Sequence, residues 1–347
     1  MSGAIQHSKP TLASEDRTAI ERTLTSGMIA DGATRRAFED AVASRLGVTA
    51  GLATGSGTAA LTAALVAVGV APGDEVIMPT YVCDAVSVAI HAAGARPVLC
   101  DVEMDRCMSA ATVTPRLTPR TRAIVAVHPF GAVADVASIQ ELGRTVIEDC
   151  CQAFGAARNG ALAGTLGDAC VLSFHATKLL TTGEGGMALG RTSAVATRLD
   201  HLRRGADLGR YQAPPLSDLQ AALGISQLDR YDEFLSRRAA IAAFYMTALR
   251  DVDVQLPEDV ADRSIFFRFP LRSRLAFEDV RQAFASHGVH VRRGVDRLLH
   301  SDSEKRLFPN AERLFAETVS LPIYPSLSDD EAARVADAAR LVFGKRS

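Results

Sequence analysis

The first half of the chain repeats one pattern that limits the folds open to it: short, apolar, β-rich runs alternate with alanine-rich segments of helical character. The runs are "AGLATG", "EVIMP", "RPVLCD", "RAIVAVH", "TVIED", "ACVLSF" and "GMALG". Strands that alternate with helices bury their apolar faces by lining up in one sheet with helices on both sides, which predicts a largely parallel, doubly covered sheet of the α/β class. In such sheets ligands collect at the carboxyl ends of the strands. Three runs end in residue types that can do chemistry: glycines and hydroxyls in "LATGSGT", carboxylates in "VIED", and Ser173 with Lys178 in "VLSFHATK".

After "GMALG" the pattern becomes a long amphipathic stretch, "SDLQAALGISQLDRYDEFLSRRAAIAAFYMTAL", whose apolar spacing predicts a helix or helix pair joining two bodies. Further on, "RSIFFRFPLRS" reads as a strand and "AFEDVRQAFASHGVH" as a helix. A terminal helix is expected to start at Ser328, which is followed by acidic residues. With 347 residues, 48% of them hydrophobic, the chain exceeds what a single core usually holds, so two unequal domains are expected. We set them at 1–240 and 241–347.

A net charge of −2 gives no field that would draw the chain to nucleic acid or an anionic membrane, so small-molecule chemistry is expected. No apolar run approaches the roughly 18 residues of a membrane span, and a cytoplasmic location is expected. The six cysteines (Cys83, Cys100, Cys107, Cys150, Cys151, Cys170) form no C-x-x-C pair and have no histidine at zinc-ligand spacing. We read them as buried reduced thiols and expect no metal.

Each chemically suggestive stretch has a plainer alternative. In "ATGSGTAALTAAL" a strand meets a glycine turn and then a helix, whose N-terminal N–H groups, with the Thr58 hydroxyl, suit a phosphate. Glycine used only for backbone freedom in a tight turn is the alternative. In "VIEDCCQAFGA", Asp149 could bind metal, act as a base or hold a protonated heterocycle nitrogen, or merely cap a helix. Lys178, in apolar surroundings, could be an amine that attacks a carbonyl; most lysines simply lie along the surface. Together, a phosphate cradle, a carboxylate and a lysine amine match the needs of pyridoxal 5'-phosphate (PLP).

With these residues in place, the sequence resembles the DegT/DnrJ/StrS family of PLP-dependent sugar-nucleotide aminotransferases. The resemblance runs through "SGMIADGATRRAFEDAVASRLG", "GSGTAAL", "GVAPGDEVIMPTYV", "GARPVLCDVE", "VHPFGAVADV", "VIEDCCQAFGA", "SFHATKLLTTGEGG", "LSDLQAALGISQLDRYDEF" and "LPIYPSLSDDE". It implies the PLP-dependent transferase fold type I: a three-layer α/β/α large domain with a mostly parallel mixed sheet, plus a smaller C-terminal α/β domain. It also implies that Lys178 holds the cofactor as a Schiff base, Asp149 pairs with its ring nitrogen, and Gln152 meets its ring oxygen. Gly57, Thr58 and Ser173 would hold the phosphate, and Tyr81 would stack on the ring.

By the same resemblance, the amine passes from an amino acid, glutamate being the expected donor, to a keto sugar, most readily a nucleotide-linked 4-keto-6-deoxyhexose. A keto-cyclitol is the alternative acceptor. A homodimer with sites near the interface is also implied. Related PLP-dependent dehydratases replace the lysine with histidine, and a non-catalytic homologue would not need Lys178, Asp149 and Gln152 together. Two departures from the family stand out. Its asparagine before the "SDLQAAL" helix is absent from "RYQAPPLSDLQ", leaving Gln212 as the substitute, and "GVHVRRGVDRLLH" replaces a His-Tyr-rich substrate segment. Arg292, Arg293 and Arg297 could bind a diphosphate or a donor carboxylate, or form a solvated basic patch. His175 could touch substrate or merely pack.

Overall fold

Each of the seven apolar runs becomes a strand of one sheet in the computed structural model, which describes residues 3–48, 51–205, 211–257 and 264–345. The strands are β1 (Gly51–Thr54), β2 (Glu75–Pro79), β3 (Arg96–Cys100), β4 (Thr121–Val127) and β5 (Thr145–Asp149). A two-stranded hairpin follows, β6 (Ala157–Arg158) and β7 (Ala161–Leu162), and then β8 (Ala169–Ser173) and β9 (Gly186–Gly190). The order across the main sheet is β1-β9-β8-β5-β4-β2-β3. The pairs from β8 to β3 are parallel, and β9 runs antiparallel to both of its neighbours. With one reversed strand the sheet is mixed but mostly parallel, and β1, β2, β4, β5 and β8 share one carboxyl rim.

Helix Gly57–Ala67 shows why the alanine-rich segments matter. Every residue from Ala59 to Ala67 is buried, and a helix apolar all round has to lie inside the protein. Small side chains let it lie close to the sheet, with Leu61, Leu65, Val76, Met78 and Val171 in one core. The opposite face is covered by helices Ala33–Arg45 and Asp218–Asp229, and Phe38, Phe154, Phe174 and Leu172 fill that side.

The long amphipathic stretch is two helices, Asp218–Asp229 and Tyr231–Ala248, parted at Arg230, whose guanidinium binds both carboxylate oxygens of Asp16 at 2.7 Å. The second helix changes core partway along. Tyr231, Phe234 and Leu235 pack under the main sheet, whereas Ile241, Ala242 and Tyr245 pack in a smaller body. The change of core falls between Leu235 and Ile241. The N-terminal arm crosses it: Ile5 is buried in the smaller body's core, pairing with Val289 beside a three-stranded sheet.

That sheet comprises β10 (Phe269–Arg272), β11 (Arg292–Arg293) and β12 (Thr318–Leu321), in the order β10-β12-β11. The strand read in "RSIFFRFPLRS" forms only from Phe269 onward, because Phe266 has φ 43° and takes the chain out of the extended conformation. The terminal helix Asp329–Phe343 begins at Ser328, which accepts from the Glu331 N–H in a capping box. Among the described residues no helix is long and apolar enough to cross a membrane.

Candidate active site

Where β1 leaves the sheet, the Ser56 hydroxyl accepts from the Ala59 N–H at 3.1 Å and starts the helix at Gly57. The tip of β8 presses on that start. A Cβ added to Gly57 would sit 2.9 Å from the Cβ of Ser173 and 3.1 Å from its Oγ. A Cβ on Gly186 would sit 2.4 Å from the Ser56 carbonyl oxygen. Glycine at both places brings the helix N-terminus, the Thr58 hydroxyl and the Ser173 hydroxyl to one opening, as an anion requires.

At the end of β5, Asp149 is 7% exposed and one carboxylate oxygen accepts from the Cys151 N–H at 3.0 Å. No cation among the described residues forms an ion pair with it, and a buried carboxylate is costly without one. Gln152 lies on the following turn; its Oε1 accepts from the Phe130 N–H at 2.9 Å, which orients the amide. Glu148 points to the other side of the sheet. It accepts from the N–H groups of Gly164, Leu166 and Gly167 and pairs with His128 at 3.0 Å. Burial raises the Glu148 pKa, but His128 and those donors outweigh burial and hold it below the usual range. His128, Glu148 and Cys150 offer ligand atoms within 4.8 Å of one another, yet the His128 ring also accepts from Ala134 N–H, so these groups are engaged in fixing loops.

Lys178 sits in a loop closed at its base. Phe174 donates its N–H to the Gly185 carbonyl at 2.8 Å, and its own carbonyl accepts from the Thr182 N–H and the Thr181 hydroxyl. Leu179 and Leu180 are buried beside Phe174 and anchor the far side. The Lys178 N–H binds the His175 carbonyl at 2.8 Å, and the Lys178 ammonium lies 5.0 Å from the Phe267 ring centre. The loop therefore brings Lys178 to the same cavity as Asp149.

One cavity of ≈ 250 Å³ brings together Gly57, Thr58, Asp149, Gln152, Ser173, His175 and Lys178. His175 is exposed on its rim, bonded to the Thr177 hydroxyl at 2.9 Å and 3.6 Å from Glu184. A second cavity of ≈ 440 Å³ shares Val82, Cys83, Ala85, Val127 and Gln152 with it. Tyr81, expected against the cofactor ring, lines this second cavity instead. Its ring packs edge-on to Phe130, and its hydroxyl occupies space that only a glycine at 294 leaves open. Beside Val82 and Ala85, that segment turns Cys83 to the first cavity, and this residue is exposed, contrary to the expectation that all the thiols are buried. Burial of the sulfur and the nearby Asp149 raise its pKa, and Lys178 opposes them.

Arg292 and Arg293 lie on β11, away from both cavities, lining a third of ≈ 480 Å³ with His7, Arg281 and His290. Arg293 stacks between Phe277 and Phe315, with ring centres at 4.4 and 4.8 Å. Arg297 faces the second cavity but is bound to Asp84 at 2.5 and 3.0 Å. Gln212 is exposed on a segment whose Pro214 carbonyl accepts from Gly55 N–H at 2.8 Å; Arg210, at the start of that motif, lies outside the described residues. Residue spacing missed Cys83, and Arg268 in the second cavity. The signal for Arg268 was a lone cation among the aromatic residues of "SIFFRFPL".

The family described as the DegT/DnrJ/EryC1/StrS aminotransferase family matches residues 10–340. The chain is 33% identical over 348 residues to a UDP-N-acetyl-3-dehydro-alpha-D-glucosamine 3-aminotransferase of Acidithiobacillus ferrooxidans, covering 95% of this chain and 94% of that one. It is 32% identical to a dTDP-3-amino-3,4,6-trideoxy-alpha-D-glucose transaminase of Micromonospora megalomicea, covering 94% of each. Among solved structures, the PLP form of a Streptococcus pneumoniae protein assigned as a sugar aminotransferase superposes with a TM-score of 0.90 at 25% identity, covering 98% of each chain.

Proposed function

The chain belongs to the DegT/DnrJ/EryC1/StrS aminotransferase family, and from that premise we propose that it transfers an amino group from an amino acid, glutamate by expectation, to a keto sugar carried on a nucleotide. It is a PLP-dependent aminotransferase. The observation that carries the reading is the single cavity joining Lys178, Asp149, Ser173 and Gly57, opening beside a larger one. The residues suit the cofactor. A buried carboxylate without a cation meets the need of a protonated ring nitrogen, and the space a Cβ would fill at Gly57 meets the need of a phosphate.

When bound, the cofactor supplies a heterocycle that accepts the electron pair left on the donor carbon as its proton departs. Asp149 keeps a proton on the nitrogen facing it. The Lys178 amine removes the proton from the donor carbon and returns it one atom away, so its reach across the cavity is its function. The N–H groups at Gly57 and Thr58, with the Thr58 and Ser173 hydroxyls, would hold the phosphate, and Gln152 would meet the ring oxygen. We assign the wall beside the ring to Cys83 and give Tyr81 to the sugar cavity. His175 stands at the rim, where it can meet substrate, and the exposed Arg292 suits the phosphates of a nucleotide further out, while Arg293 is held between Phe277 and Phe315.

We place the enzyme in the cytoplasm, as a homodimer. The six free cysteines support the first; the exposed Leu24, Met28 and Ile29 at the end of the first helix support the second. The test is a panel of nucleotide-linked keto sugars and keto-cyclitols offered to enzyme already aminated by glutamate. Return of the visible absorbance with a nucleotide sugar is expected. Return only with cyclitols, or with nothing, overturns the assignment.

A further inference from the structure

Arg268 occupies an unusual position in the second cavity. Its Nη1 donates to the Arg293 carbonyl at 2.7 Å. Its Nε is buried with no partner, and no carboxylate of the described residues forms an ion pair with it. The guanidinium carbon lies 5.4 Å from the Phe130 ring centre. Phe130 is itself held in the left-handed region, at φ 58°, with its N–H bound to Gln152. Burial pulls the Arg268 pKa down, but a guanidinium stays protonated under any physiological condition. A half-buried cation with an enclosed, unpartnered Nε, held by one carbonyl and a ring face, leaves N–H donors for a planar anion.

The other charges facing the cavity do not meet that need. Arg297 and Asp84 are bound to each other, and Asp296, whose charge acts on Arg268 through space, is exposed and forms no ion pair with it. Position identifies the anion. The cavity's inner wall (Val82, Cys83, Ala85, Val127, Gln152) is also the wall of the Lys178 cavity. An amino acid that brings its α-amine to that place carries its α-carboxylate one carbon away, whereas the reacting end of a keto sugar carries a carbonyl and hydroxyls, all neutral. Phosphates of a nucleotide lie several bonds further out. Resting on the transaminase reading above, we propose that Arg268 is the residue that binds the carboxylate of the amino donor, and that it selects α-amino acids over other amines.

The test separates the half reactions. Holoenzyme, Arg268→Leu and Arg268→Lys are mixed with glutamate alone, and loss of the visible band is followed against concentration. Each protein loaded with the aminated cofactor is then mixed with keto sugar alone. Truncating a hydrogen-bonded, charge-assisted contact predicts a rise of about 10- to 100-fold in half-saturating glutamate for the leucine variant, a smaller rise for lysine, and a much smaller change in the sugar half reaction. Calorimetric binding of glutarate, an unreactive dicarboxylate, is expected to weaken in parallel, with circular dichroism showing all three proteins folded.

Unchanged glutamate saturation and glutarate affinity in Arg268→Leu overturns the proposal. So does a defect confined to the sugar half reaction, which would assign the residue to an acidic sugar. If no keto sugar is turned over, the acceptor reading fails, while the glutamate and glutarate titrations still decide Arg268.

Discussion

Gly57 and Ser173 meet so closely that a Cβ on the glycine would lie 2.9 Å from the Cβ of the serine. The contact joins the first turn of a helix to the tip of β8, two segments more than a hundred residues apart. Alanine at 57 has to push that tip away, widening the phosphate cradle, while its better helix propensity partly offsets the cost. Gly57→Ala is expected to weaken PLP binding about tenfold with little change in apoenzyme melting temperature. A fluorescence titration with PLP measures it, and wild-type affinity would show that the cradle is not at Gly57.

Asp149 and Lys178 should respond differently to neutralisation. Asp149→Asn keeps an oxygen for the Cys151 N–H but removes a buried charge that has no protein counter-ion. The apoenzyme should melt at a higher temperature, whereas the holoenzyme loses its partner for the ring nitrogen and its turnover. Melting both forms of both proteins checks the opposite signs. If the apoenzyme loses stability, the carboxylate is serving the fold.

For Lys178→Ala the visible absorbance of the loaded enzyme should vanish. Turnover should fall by at least roughly 10²–10⁴-fold, the share that a positioned proton carrier supplies. Spectrophotometry and steady-state rates settle it, and retained colour in the variant would place the Schiff base elsewhere.

Cys83 lines the Lys178 cavity, and its thiol pKa is raised by burial and then by Asp149. Alkylation should therefore be slow at neutral pH and accelerate as the pH rises past the ordinary thiol range, because the thiolate is the reactive form. Saturating PLP should protect it, and mass spectrometry of the modified peptide reads both effects. Labelling that ignores PLP would move Cys83 out of the cofactor wall.

Glu75 ties β2 to its neighbours. Hydrogen bonds from Thr118, Arg96 and Arg120 bring its pKa down to about 2 from an ordinary 4.5. The folded form thus prefers the charged carboxylate. Its contribution is complete above pH 4.5 and drains away as the pH falls towards 2. Urea unfolding from pH 7 to 2 should show a steeper loss in wild type than in Glu75→Gln, with the variant less stable at neutral pH. Parallel curves would mean the arginines contribute nothing.

Much of the site was legible because its parts stand at strand ends. Asp149 terminates β5 and Ser173 terminates β8, and in a parallel sheet successive ends emerge on one rim, so finding the strands located the residues. Tyr81 and Cys83 were harder. They share one loop, and which of them lines the Lys178 cavity depends on Phe130 and Gly294 filling the space around the tyrosine. Those neighbours come from distant parts of the chain. The same holds for Arg293, which reads as a free cation and is stacked between two rings.

The sequence by itself determined the class of fold, the main strands and the chemistry of the central cavity, because periodicity and the end of a strand are local properties. The tertiary structure decided which arginine remains available. Arg297 is neutralised by Asp84 and Arg293 is wedged between aromatic rings, while Arg268 faces the second cavity with donors to spare. Free charge is what remains after every neighbour has been counted, and the neighbours are set only when the smaller body closes against the sheet.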